Sequence, residues 1–142
     1  MNQGKTIDEL TIGDSAQISK TITEADIELF ARATGDFNPV HLDQAYAEKT
    51  MLKGRIAHGA LSIGLISAAL GNILPGHGTI YLSQEIKFLA PVRIGDTITA
   101  QVEVIELNVD RNRAKFRTVC TNQNGQVIVD GTAWGMPPRK EC

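Results

Sequence analysis

The chain is poor in cysteine, in one-signed charge and in long apolar runs. Its two cysteines are Cys120, inside a strand-like pattern, and Cys142 at the very end, and neither sits in a CxxC pair. That excludes a disulfide framework or a thiolate zinc site and fits a reducing compartment. No basic block stands out against a net charge of −2, so nucleic acid is not expected as a partner. The opening residues, MNQGKTIDEL, have no apolar core of a secretory signal. The most apolar segment, residues 60–74, is too short and too rich in Gly, Ser and Asn to span a bilayer. Repeats, linkers and low-complexity tracts are missing too. The expectation is a cytoplasmic protein folded as one domain over residues 1–142, with no membrane contact.

What is present is a change of period along the chain. Residues 14–22 alternate Ala16, Ile18, Lys20 and Ile22, which predicts a short edge strand. Thr23 and Asp26 form a capping-box pattern before Ile27, Phe30, Ala31 and Thr34, predicting a helix near 24–33 that Gly35 ends. Asp43 is placed to cap a second short helix over 44–49, with loop from Met51 to Ala57. From Gly59 to about Gly71, apolar or small residues occur all round, which predicts a helix inside the core. Beyond residue 78 the period becomes two. Ile80, Leu82, Gln84, Ile86 and Phe88 mark one strand face; Ile98, Ala100, Val102 and Val104 mark the next. Ala114, Phe116, Thr118 and Cys120 mark a third, and Asn124-Gly125 turns it into a fourth. One strand, three helices and four antiparallel strands read as an α+β layer architecture.

The chemistry concentrates in Thr34-Gly35-Asp36-Phe37-Asn38-Pro39-Val40-His41. Pro39 and Gly35 forbid a continuous helix, so a tight bend can aim Asp36 and His41 into one space. A carboxylate and an imidazole are a minimal acid/base pair near neutral pH. Taken alone, the same string also reads as an ordinary polar turn. Asp36, His41 and Asp43 lack the ligand types and the third partner motif of a metal site, so no metal is expected.

The whole string is more specific than its parts. Phe30-Ala31-Arg32-Ala33-Thr34-Gly35-Asp36-Phe37-Asn38-Pro39-Val40-His41, with Ala47 six residues on, resembles the signature of the MaoC-like, R-specific enoyl-CoA hydratases (hydratase 2). Arg55-Ile56-Ala57-His58-Gly59, Gly78-Thr79-Ile80-Tyr81-Leu82 and the stretch from Phe88 to Asp96 resemble further segments of that family. The resemblance departs at Ala33, where a larger aliphatic residue is expected. It implies a hot-dog fold, an antiparallel sheet wrapped round a central buried helix, and a homodimer with ligand sites at the subunit boundary. It also implies hydration of a 2-enoyl thioester, with an acyl-CoA as substrate and no cofactor. An acyl-carrier-protein thioester is a variant of the same reading. Thioester hydrolysis, which the fold also hosts, and a non-catalytic acyl-binding module are the alternatives.

Hydration needs two proton-handling groups and an oxyanion donor. Asp36 and His41 can supply the first. The first N–H groups of a buried helix are unpaired and lie at its positive end, so Gly59 is the candidate donor, at the place where the family keeps its own. Asn38 is expected to fix the turn or contact substrate, and His58 to cap or pack. Counting along the helix from Gly59 puts Ile63, Ile66, Ser67 and Leu70 on roughly one face, a candidate wall for the acyl chain. The resemblance gives Ser67 a place beside the catalytic Asp. Arg111, Arg113, Lys115 and Arg117 form a basic strip, read either as a solvated strand face or as a contact for CoA phosphates.

Overall fold

A computed structural model describes residues 3–140. Cys142 lies outside them. Five strands form one antiparallel sheet in the order β1-β3-β4-β5-β2: β1 is Ser15–Thr21, β2 Ile80–Phe88, β3 Thr97–Asn108, β4 Arg113–Thr121 and β5 Val127–Met136. The period-two faces anticipate the inner side of two central strands, β3 and β4. Ile98, Ala100, Val102 and Val104 of β3, with Ala114, Phe116, Thr118 and Cys120 of β4, are each 0 % exposed. The register sets Ala100 opposite Cys120 and Val104 opposite Phe116, so cross-strand pairs fill the inner face. Burial pushes the Cys120 thiol up to about 12, which leaves it an unreactive packing group.

The helices are α1 (Glu24–Thr34), α2 (Pro39–Leu42), α3 (Gln44–Glu48) and α4 (Gly59–Asn72), preceded by a 3-10 turn at Ile7–Glu9. The Thr23/Asp26 capping box is formed, and Gly35 ends α1 in the left-handed conformation at φ 81°. Asp43 accepts from the Tyr46 N–H and caps α3. α4 packs against β1, β2, β3 and β4, so the sheet curls around it. Leu65, Ile66, Ala69 and Leu70 of α4 point into the core.

Three sequence readings need correction. The bend after Gly35 contains a fourth helix, α2, because Pro39 sits at its first position, where a missing N–H costs nothing. α4 is not buried on every side: Ala60, Gly64 and Ser67 are exposed. Small residues do not distinguish a core face from an open one. In β2 the alternation breaks between Tyr81 and Ser83, where the register shifts. Tyr81 packs against the core instead, with its hydroxyl donating to Gln84, while Ile80 and Leu82 face outward.

Candidate active site

The turn after α1 is built from its own side chains. Thr34 Oγ1 accepts from the Asp36 N–H (3.2 Å), Asp36 Oδ1 from the Asn38 N–H (3.2 Å) and Asn38 Oδ1 from the Val40 N–H (3.1 Å). Asn38 is therefore the N-cap of α2, and its acceptor is engaged within the turn. One turn of helix then carries His41 inward, to 8 % exposure, while Asp36 stays exposed.

Two backbone carbonyls set the tautomers here. His41 Nδ1 lies 2.8 Å from the Ile56 carbonyl oxygen. A carbonyl only accepts, so Nδ1 carries the proton and the neutral ring keeps a bare Nε2. His58 Nε2 donates to the Asp36 carbonyl at 3.0 Å, which leaves Nδ1 bare, buried and without a partner. The two imidazoles stack, with centroids 3.9 Å apart and planes at 29°. Phe30 also packs on His58, with ring centroids 4.6 Å apart and planes tilted at 44°. A carboxylate oxygen of Asp36 and one ring nitrogen from each of His41 and His58 all lie within 4.8 Å of one another. The bend thus does bring Asp36 and His41 together.

Those three donors also pose the metal question in a form the sequence reading did not, since Asp43 is spent capping α3. The stacked rings argue against a metal. Nearly parallel imidazoles direct their in-plane lone pairs side by side, whereas a tetrahedral ion needs them to converge.

Next to His58, Gly59 opens α4. Its N–H has no partner within the protein among the described residues, and the His58 side chain does not cap the helix. A Cβ at this position would stand 2.8 Å from Phe88 Cε1, so glycine lets the ring approach where a larger residue would make it shift. Beside it opens a largely apolar cavity of about 600 Å³, whose lining includes Leu52, Ile56, Ala57, Phe88, Val92 and Val129. A donor at the positive end of a 14-residue helix, next to an apolar space, suits an oxygen that gains charge during reaction.

The four helix positions proposed for the acyl wall are not brought together. Ile66 and Leu70 are buried against the sheet at 0 and 1 %, Ile63 is half-buried and Ser67 is exposed. None of them lines the cavity at Gly59. Steps of seven and eleven residues lead to the sheet side of α4, and a step of eight leads away from it.

The basic strip lies elsewhere. Its residues alternate with buried Ala114 and Phe116, so Arg113, Lys115 and Arg117 occupy the sheet face turned away from α4. Arg117 pairs with Asp130 at 3.5 Å and the Lys115 ammonium sits 5.7 Å from the Trp134 ring, as on a solvated face.

Sequence reasoning missed two arginines and the extent of His58's contacts. Arg93 donates to the carbonyls of Leu52, Gly54 and Arg55. Arg55 donates to the His41 carbonyl and to both oxygens of Glu24. These hydrogen bonds hold the Glu24 carboxyl below the usual carboxylate range. Their only sequence signal was a place inside the family-like segments.

Comparison with known proteins places this geometry. Residues 11–128 match the family model described as a MaoC-like domain. The chain is 50 % identical over 133 residues to an (R)-specific enoyl-CoA hydratase of Rhodospirillum rubrum, covering 94 % of this chain and 92 % of that protein. It is 44 % identical to a 3-hydroxybutyryl-CoA dehydratase of Methylorubrum extorquens, covering 94 % and 85 %. Among solved structures, the unliganded R-hydratase PhaJ1 of Pseudomonas aeruginosa superposes with a TM-score of 0.90 at 47 % identity, over 97 % of this chain and 88 % of that one. The (R)-hydratase of Aeromonas caviae involved in PHA biosynthesis superposes with a TM-score of 0.87 at 42 % identity, over 91 % and 98 %.

Proposed function

The chain belongs to the MaoC-like domain family, and from that membership we propose how its residues act as an (R)-specific enoyl-CoA hydratase with the hot-dog fold. The observation that carries the proposal is the meeting of Asp36 with His41, whose proton is fixed on Nδ1 by the Ile56 carbonyl. Water held between the carboxylate and the bare Nε2 loses a proton to the pair as its oxygen bonds to C3 of the enoyl thioester. The C2=C3 electron pair moves toward the thioester oxygen, and the Gly59 N–H stabilises the enolate. The pair then returns a proton at C2, so one water has added and nothing else is consumed. No cofactor is needed. Asp36 and His41 act as one titrating unit, and the step that returns the proton belongs to the pair.

The product is a (3R)-3-hydroxyacyl-CoA, a precursor of the kind polyhydroxyalkanoate synthesis uses. The working form is a cytoplasmic homodimer. Supporting it, β2 is an edge strand with Ile80 and Leu82 exposed, and α4 leaves Ala60, Gly64 and Ser67 open.

Mixing the purified protein with crotonyl-CoA tests the function. Loss of the enoyl-thioester absorbance without thiol release, giving a product refused by an S-specific 3-hydroxyacyl-CoA dehydrogenase, is expected. Thiol release would select hydrolysis, an unchanged spectrum would leave acyl binding, and ready NADH formation would contradict the R product.

A further inference from the structure

Between α3 and α4, residues 49–58 run without helix or strand, yet this loop carries two parts of the site. The Ile56 carbonyl receives the His41 Nδ1–H, and the loop's end leads into Gly59. Burial does not hold its first turn, where Met51 is 90 % exposed. Guanidinium groups hold the loop, beside two backbone bonds at its end, from the Ile56 N–H to the Val40 carbonyl (3.2 Å) and from the Ala57 N–H to the Val92 carbonyl (2.7 Å). Arg93 gathers three of its carbonyls, at Leu52, Gly54 and Arg55. Arg55 reaches back: Nε donates to the His41 carbonyl at 2.7 Å, and Nη1 and Nη2 donate to the two Glu24 oxygens at 2.8 Å each. Its own N–H donates to Gln44 Oε1 at 3.2 Å. One side chain, 13 % exposed, therefore ties together α1, α2 and the loop.

We propose that Arg55 is a positioning residue for the hydration, acting through His41. This rests on the reading of His41 as a member of the pair that takes the water's proton. The Ile56 N–H bond to the Val40 carbonyl ties the loop to α2, and Arg55, holding the next carbonyl at His41, fixes how His41 is turned towards the Ile56 carbonyl. The Nδ1–H bond then stays made, and Nε2 stays aimed at the reacting water. The planar fork is needed because it serves His41 and Glu24 at once, in one plane; a lysine ammonium offers no such fixed geometry. Glu24 orients the fork. Its side chain is 50 % exposed, so the pair adds little to folding. The contribution is to geometry, where small displacements cost turnover.

The test is steady-state hydration of crotonyl-CoA by the full chain and by Arg55→Lys, Glu24→Gln and His41→Gln, and by Arg55→Lys combined with His41→Gln, with melting temperatures alongside. Arg55→Lys is expected to lower kcat about 10- to 100-fold with KM within about twofold. Glu24→Gln should lower kcat in the same direction by less. In the His41→Gln background, Arg55→Lys should cost less than about a further twofold, because the group it serves is gone. Parental kcat in Arg55→Lys beside a crippled His41→Gln overturns the proposal alone. So does an equal loss in both backgrounds, which is what a purely structural role gives. Parental kcat in His41→Gln overturns the reading of His41 and this proposal with it. If Arg55→Lys does not fold, Glu24→Gln decides: a folded variant with unchanged kcat overturns the proposal.

Discussion

The sheet with α4 and the segment from α1 to residue 58 are held together by different forces. In the first, Ile66, Leu70, Ile98, Val102 and Phe116 are at most 1 % exposed, and backbone ladders satisfy the polar groups. Each such side chain contributes about 1.5–3 kcal/mol by leaving water. In the second, α1 is anchored by buried Ile27 and Ala31, but beyond it helices of four and five residues are joined by turns, and order there comes from side chains bonded to backbone: Asp36 to Asn38, Asn38 to Val40, Arg55 to His41. Apolar packing tolerates much redistribution, whereas hydrogen bonds are directional. A proton-transfer site needs direction, and Asp36 and His41 sit in the directional part, with His58 joining it to the core helix.

This division predicts that activity and stability separate. The largest effect is on turnover. Asp36→Asn or His41→Gln should each lower kcat by about 10²–10⁴-fold, measured with crotonyl-CoA. Melting temperature should hardly move in either, and a large loss of stability in Asp36→Asn or His41→Gln would break the comparison. Next comes Leu70→Ala, from the core side. Its truncation should cost about 2–5 kcal/mol in denaturant unfolding. The ratio of kcat/KM for octenoyl-CoA over crotonyl-CoA should stay as in the parent, because Leu70 packs in the core and does not line the cavity at Gly59. A raised ratio would contradict the assignment of Leu70 to the core side.

Asn38→Ala is smaller and belongs to the polar side. Losing the cap of α2 should cost about 0.5–2 kcal/mol, with Asn38→Asp recovering most of it. A fall in kcat should accompany it, since His41 rides on that turn. The smallest effect is acid-dependent. The Arg55 hydrogen bonds hold the Glu24 carboxyl below its ordinary range. The stability this gives is present above that range and is lost as pH falls through the lowered value. Melting temperature should therefore fall less on acidification below about pH 4.5 in Glu24→Gln than in the parent, and parallel curves would refute the linkage.

Legibility in the sequence followed the same division. Ile98 to Val104 and Ala114 to Cys120 showed their inner face because burial writes a period of two. Thr23, Asp26, Gly35 and Asp43 showed helix ends because caps are local. Helix α2 was too short to write a period, and Pro39 read as a breaker when it was a first residue. The bulge beside Tyr81 reversed a pattern that alternation alone could not reveal. The bend at Asp36 and His41 was readable as a string. His58 and Arg55 were not, because their partners lie 14 to 31 residues away and meet them only in the fold. Ile63, Ile66, Ser67 and Leu70 shared a face by counting, yet the curl of the sheet divides them.

The central claim is that Asp36 and His41 form one working unit, and the kcat of Asp36→Asn combined with His41→Gln tests it most directly. Beside the two single variants, all folded and assayed with crotonyl-CoA, the double variant should lose little more turnover than the worse single one. Losses that multiply would show two independent contributions and contradict the account.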